Sequence, residues 1–190
     1  PTDKLFGMVF FAFNPLVIIE SLVSAHHDIV MMFLAILALF LLLNKNYISA
    51  FIVLFLSVGI KFTTVLLLPV FFAILILQKQ KKVINWEWIF ILIASLMVVA
   101  IILGSVRTEL QPWYLLWLLP FVSFLTNKKW ISIPTIVLSF GLLLHYVPFL
   151  YTGNWDPPIP TIKFWLTTIS IILGLVVFLI VDFFMENGGL

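Results

Sequence analysis

YISAFIVLFLSVGIKFTTVLLLPVFFAILIL, residues 47–77, carries a single charge in its whole length, Lys61. Either it is one long tilted helix with an ammonium stranded inside it, or it is two short passes that turn at Lys61. The choice sets the parity of every later segment. Short cytoplasmic loops are enriched in Lys and Arg, so the cations arbitrate. Two passes put Lys4, Lys45, Lys79, Lys81, Lys82, Lys128 and Lys129 on one side, and Lys61, Arg107 and Lys163 on the other. One pass divides them almost evenly and leaves Lys61 unpaired in hydrocarbon, at a cost of roughly 3 kcal/mol or more. The stretch therefore reads as a hairpin near Lys61, with both termini cytoplasmic.

Working outward, the chain reads as an all-α, polytopic transmembrane helical bundle. About eight apolar segments are expected, near 5–25, 29–43, 47–60, 62–77, 86–105, 113–125, 130–150 and 163–184. Several are shorter than the roughly 20 residues of a full span. Composition agrees: 64% of the residues are hydrophobic and 9% charged, against roughly 25% charged in a soluble domain. Long apolar runs, rather than residue-by-residue alternation, exclude a membrane β-barrel. In lipid each backbone polar group must be satisfied within its own segment, so the runs must be helices. The net charge of +2 is spread over loops, which argues against nucleic acid as a partner. With no cysteine, there is no disulfide or thiolate chemistry to read. Trp86, Trp88 and Trp130 fall at the inner interface and Trp113, Trp155 and Trp165 at the outer one, as an aromatic belt requires. No repeat or linker divides residues 1–190, and one transmembrane domain is expected.

That topology gathers the ionisable groups on the outer side. NPLVIIESLVSAHHD, residues 14–28, is the densest cluster. Glu20, Ser24 and His27 or Asp28 recur at helical spacing and share a face. A carboxylate inside an apolar run must face the bundle interior or a wet cavity. With imidazoles a turn or two away, Glu20, His26 and Asp28 form an acid/base set; the bland alternative is that Glu20 only ties two helices together. His26 and His27 point to different helix faces, and a zinc site wants three or four converging ligands. No metal centre is therefore expected, although a divalent cation is left open as a cofactor. Lys61 is suited to a lipid phosphate or to snorkelling into headgroups. Arg107, in SVRTELQPWY, suits phosphate or a weak pair with Glu109. QPWYLLWLLP, residues 111–120, sets Gln111, Trp113, Tyr114 and Trp117 together. Flat rings beside an amide suit a sugar ring, and an interfacial belt accounts for the aromatics equally well. His145 with Tyr146, and TGNWDPPIP around Trp155 and Asp156, are weaker signals.

Three of these pieces carry a resemblance. NPLVIIESLVSAHHD, then an apolar helix and GIKFTTVLLLP, then QPWYLLWLLP, resemble the central region of polyprenyl-phosphate-dependent mannosyltransferases of the GT-C superfamily, in order and approximate spacing over about residues 10–125. His27 stands where the relatives more often have Asn. Those enzymes place a catalytic carboxylate in a first extracytoplasmic loop, upstream of Pro1. The resemblance therefore implies the C-terminal portion of such an enzyme, lacking that base, or a truncated paralogue. It implies transfer of a hexose, mannose above all, from a polyprenyl-phosphate donor to a glycan or glycolipid acceptor hydroxyl. The site would face the extracytoplasmic side of the bilayer, in a prokaryotic plasma membrane rather than an ER membrane. Catalysis is expected from Glu20, His26 and Asp28, and substrate binding from His27, Lys61, Arg107, Gln111, Trp113 and Tyr114, with His145, outside the resemblance, added to the substrate set. Two other functions remain open at this point: a transporter or flippase of lipid-linked sugars, and a non-catalytic membrane subunit. Midplane charges and repeated broken helices would mark the former; failure of Glu20, Asp28 and Lys61 to converge would mark the latter.

Overall fold

The protein's computed structural model describes residues 2–187, with side chains from Leu5 to Asn187. Every regular element among them is helical: α1 (Thr2–Ala12), α2 (Pro15–Ile18) running into a π turn (Ile19–Val23), α3 (Asp28–Leu43), α4 (Tyr47–Ile60), a 3-10 turn (Phe62–Leu67) leading into α5 (Leu68–Lys79), α6 (Trp86–Thr108), a second 3-10 turn (Pro112–Trp117), α7 (Leu119–Val122), α8 (Lys129–Leu143), α9 (Tyr146–Thr152) and α10 (Ile159–Glu186). They form two compact units, Pro1–Glu20 with Val122–Leu190 (unit 1) and Ser21–Phe121 (unit 2).

The all-α class stands, but the count of about eight membrane segments does not. Among the described residues four helices are long and apolar enough to cross a membrane: Phe62–Lys79, Trp86–Thr108, Lys129–Thr152 and Ile159–Glu186. A fifth is reached if the bent pair Leu5–Ala12 and Pro15–Val23 counts as one span. Physical causes are visible for each lost segment. The helices Asp28–Leu43 and Tyr47–Ile60, 16 and 14 residues long, reach only about 24 and 21 Å at 1.5 Å per residue. A hydrocarbon core is about 30 Å thick. Segment 113–125 is broken between Pro112 and Pro120 into a 3-10 turn and a four-residue helix, since proline withholds a helical donor. With four or five crossings, the alternation that set seven cations against three no longer follows.

Lys61 nonetheless marks a break. Its backbone is extended (φ −153°, ψ 131°) between the end of α4 and the 3-10 turn. The expected hairpin of two short passes is replaced by one short helix before Lys61 and one membrane-length helix after it.

In unit 2, α3 lies along α4, and the two are pinned by a buried hydroxyl pair. The Ser57 hydroxyl sits 2.8 Å from the Met31 carbonyl oxygen and 3.0 Å from the Thr64 hydroxyl. Having one proton to give, it donates to the carbonyl and accepts from Thr64. Ser57 precedes Lys61 by one turn and Met31 follows Asp28 by three residues, so this contact fixes the distance between those two charges.

In unit 1, α8 packs against α10 through small residues, as membrane helices do where backbones approach closely. A Cβ on Gly141 would fall 1.7 Å from Ser170 Oγ, and one on Gly174 would fall 2.9 Å from Pro134 Cα. Asn14 joins α2 to this pair. Its side chain accepts from Leu16 N at 3.0 Å, capping the helix that Pro15 starts, and donates to Ser139 Oγ at 3.1 Å. The break before Pro15 turns the chain by 52°.

Candidate functional site

Unit 2 holds an ion pair against an aromatic wall. Asp28 is in the first turn of α3 and buried. Lys61 Nζ donates to its two carboxylate oxygens at 2.8 and 3.1 Å. The Asp28 side chain is 3% exposed and that of Lys61 40%, so the carboxylate is enclosed and the ammonium is what the site presents. Trp117 Nε1 also donates to Asp28 Oδ1. The same ammonium stands 5.3 Å from the Trp117 ring centroid and 5.7 Å from that of Tyr114, both within cation–π range.

The wall follows from its local fold. A 3-10 helix has three residues per turn, so side chains at i and i+3 eclipse. Pro112 starts such a turn, and Tyr114 and Trp117 accordingly stack at 4.5 Å between centroids and 27° between planes. Gly104 of α6 lets them close in: a Cβ there would lie 3.3 Å from Tyr114 Cε2 and 3.5 Å from Trp117 Cη2. The Tyr114 hydroxyl is hydrogen-bonded to Thr108. Trp113 meets Tyr114 edge-on at 6.0 Å and stacks on His26 at 4.1 Å and 21°. Burial holds the His26 imidazole below its ordinary pKa; the Asp28 carboxylate works against this, and the Lys61 and His27 charges reinforce it.

The structure therefore brings His26, Asp28, Lys61, Trp113 and Tyr114 together, five of the ten residues singled out from sequence. His27 is exposed at the N-cap of α3. Arg107 is exposed in the last turn of α6. The Gln111 amide donates to the Thr108 carbonyl at 3.2 Å. Trp117 joins the five, and its i+3 relation to Tyr114 between two prolines is the sequence signal that points to it. Ser57 and Thr64, flanking Lys61, were missed entirely.

The other two residues lie in unit 1. Glu20, fully buried in the π turn, accepts from Tyr146 Oη at 2.8 Å. The neighbouring His145, buried at the start of α9, lies 2.9 Å through Nε2 from Thr167 Oγ1 of α10. One turn before Thr167, Lys163 places its ammonium 5.2 Å over the ring of Trp155, which stacks on Phe149 at 4.5 Å. Among the described residues no group of three or more His, Asp or Glu is placed to hold a metal ion.

Residues 2–77 match the family model described as alpha-(1->6)-mannopyranosyltransferase, N-terminal domain. The match takes in Glu20, His26, His27, Asp28 and Lys61 and stops short of the aromatic wall. No curated protein and no solved structure matches the chain. The chain is a membrane-associated, all-helical protein with partial sequence similarity to a mannosyltransferase family.

Proposed function

We propose that this chain is part of a membrane glycosyltransferase that moves a hexose, mannose by the family match, from a polyprenyl-phosphate donor to an acceptor hydroxyl on the extracytoplasmic face. One observation carries the reading: within and beside the matched segment, a half-exposed ammonium is held in place next to a flat aromatic pair. In such a transfer the bond from C1 of the sugar to the phosphate oxygen breaks, and its electron pair leaves with the polyprenyl phosphate. The acceptor oxygen bonds to C1, and its proton passes to a base. Lys61 would meet the phosphate, where charge builds as the bond breaks. Trp113, the part-exposed ring of the wall, would meet the apolar side of the hexose, while Tyr114 and Trp117, buried and stacked on each other, back the ammonium. The proton would pass to a carboxylate; Asp28, enclosed beside Lys61, serves that cation instead.

Membranes carrying the full-length protein, supplied with polyprenyl-phosphate mannose labelled in the sugar, test this reading. Label should pass to an endogenous acceptor, and a nucleotide-linked mannose should not replace the lipid donor. Lys61→Met should lower transfer by about a hundredfold, on the scale of losing one charge-stabilising contact. Transfer that survives Lys61→Met undiminished, or that never starts from the lipid donor, would overturn the reading.

A further inference from the structure

The burial of Asp28 is at odds with a residue that exchanges protons with substrate. Its side chain is 3% exposed, and its oxygens are engaged by Lys61 and by the Trp117 indole. The ammonium has three N–H donors, of which two are turned to Asp28, leaving one for anything that arrives. Ser57, Met31 and Thr64 hold the backbone on either side of the pair. A phosphate reaching the exposed side of Lys61 therefore meets the carboxylate's charge directly behind the ammonium.

Resting on the reading of Lys61 as the phosphate-binding cation, we propose that Asp28 is a competing counter-ion that holds Lys61 while the site is empty and reclaims it from the phosphate after transfer. The charges of donor and product give this a direction. A polyprenyl-phosphate sugar is a phosphodiester with one negative charge. The departing polyprenyl phosphate is a monoester with about −1.5 to −2 at neutral pH. Repulsion from Asp28 falls more heavily on the product than on the donor, so the carboxylate favours release of what would otherwise be the tighter ligand. The role is electrostatic and moves no proton.

The size follows from Coulomb's law. A carboxylate about 6 Å from the bound phosphate, at an effective dielectric of about 20, weakens binding about a hundredfold per unit charge. Water reaching half-exposed Lys61 screens part of this, leaving about tenfold.

The test is equilibrium binding of a radiolabelled polyprenyl monophosphate to the purified full-length protein in detergent, beside the polyprenyl alcohol. Asp28→Asn, which still accepts from Trp117, should bind the monophosphate about tenfold more tightly and the alcohol unchanged. Asp28→Ser should show the same sign and covers the case in which the amide variant does not fold. Asp28→Glu, which keeps the charge, should bring the affinity back towards that of the natural protein. In single turnover from bound donor, Asp28→Asn should still transfer sugar, with the slowing confined to later turnovers as product is retained. Unchanged or weaker monophosphate binding in both neutral variants would overturn the counter-ion role, as would loss of the first turnover. A natural protein that does not distinguish monophosphate from alcohol would overturn the reading of Lys61 itself, and the inference with it.

Discussion

Replacing Lys61 with methionine removes an ammonium while keeping most of the side chain's length, and its cost can be worked from the geometry. At the observed 2.8 and 3.1 Å the pair would be worth about 1.4 kcal/mol in water and about 5.5 kcal/mol at an effective dielectric of 20, taking a separation of about 3 Å. Exposed pairs net roughly 0–1 kcal/mol and stranding one partner of a buried pair costs roughly 3–5 kcal/mol. With Lys61 40% and Asp28 3% exposed, the site lies between these limits. Lys61→Met should destabilise unit 2 by about 2 kcal/mol, because the carboxylate keeps only the Trp117 N–H. Asp28→Asn should cost about half as much, and the double variant little more than Lys61→Met alone. The resulting coupling is about 1 kcal/mol, well above the roughly 0.3–0.5 kcal/mol scatter of independent sites. For a chain of 190 residues, a loss of about 2 kcal/mol corresponds to a fall of about 4–8 °C in thermal midpoint, measurable in detergent by circular dichroism. Additive single and double variants would refute the reasoning, since they would mean that the two charges do not act on each other.

Ser57→Ala removes the hydroxyl that serves both Met31 and Thr64; it should cost about 1–3 kcal/mol by the same melt. Gly141→Ala in unit 1 should be strongly destabilising, because its Cβ would collide with Ser170 Oγ, and Ser170→Gly should recover most of the loss. If the second change rescues nothing, the contact is not where the strain lies. His26 gives a pH dependence of known sign. Its pKa is lowered in the folded chain, so the unfolded chain takes up the proton first as pH falls. The stability contributed by the neutral ring is complete above about pH 6.5 and is lost as pH falls from there towards the folded value. A melt series from pH 7.5 to 5 should therefore decline more steeply for the natural protein than for His26→Gln; parallel curves would contradict this.

Which residues meet was more legible in the sequence than which helices cross the membrane. Apolar runs announce helices because lipid permits little else, but run length does not tell a crossing helix from a short one. Tyr47–Ile60 looks the same in composition whether it crosses or stops at Lys61, and the outcome turns on where the backbone leaves helical geometry. Pro15 and Pro120 lie inside the apolar runs 5–25 and 113–125, and hydropathy alone does not show that helices break beside them. The meeting of Asp28 with Lys61 was foreseeable as two charges that an apolar protein must reconcile. The partner itself was not, since 33 residues separate them and the Ser57 contact that sets their distance has no signature in sequence. Trp117 was legible only through the 3-10 register, because an α-helical reading places residues 114 and 117 60° apart rather than eclipsed.

The most direct measurement of the central claim is photocrosslinking of the full-length protein in membranes with a polyprenyl-phosphate mannose bearing a photoreactive group on its first isoprene unit. Peptides are mapped by mass spectrometry, and unlabelled donor serves as competitor. Label that the competitor displaces should fall on the segments around Lys61 and residues 113–117, and should disappear in Lys61→Met while the alcohol analogue labels neither protein there. Competable label that avoids both segments, or that is indifferent to the charge at Lys61, would contradict the claim that this ion pair and its aromatic wall receive a lipid-linked sugar.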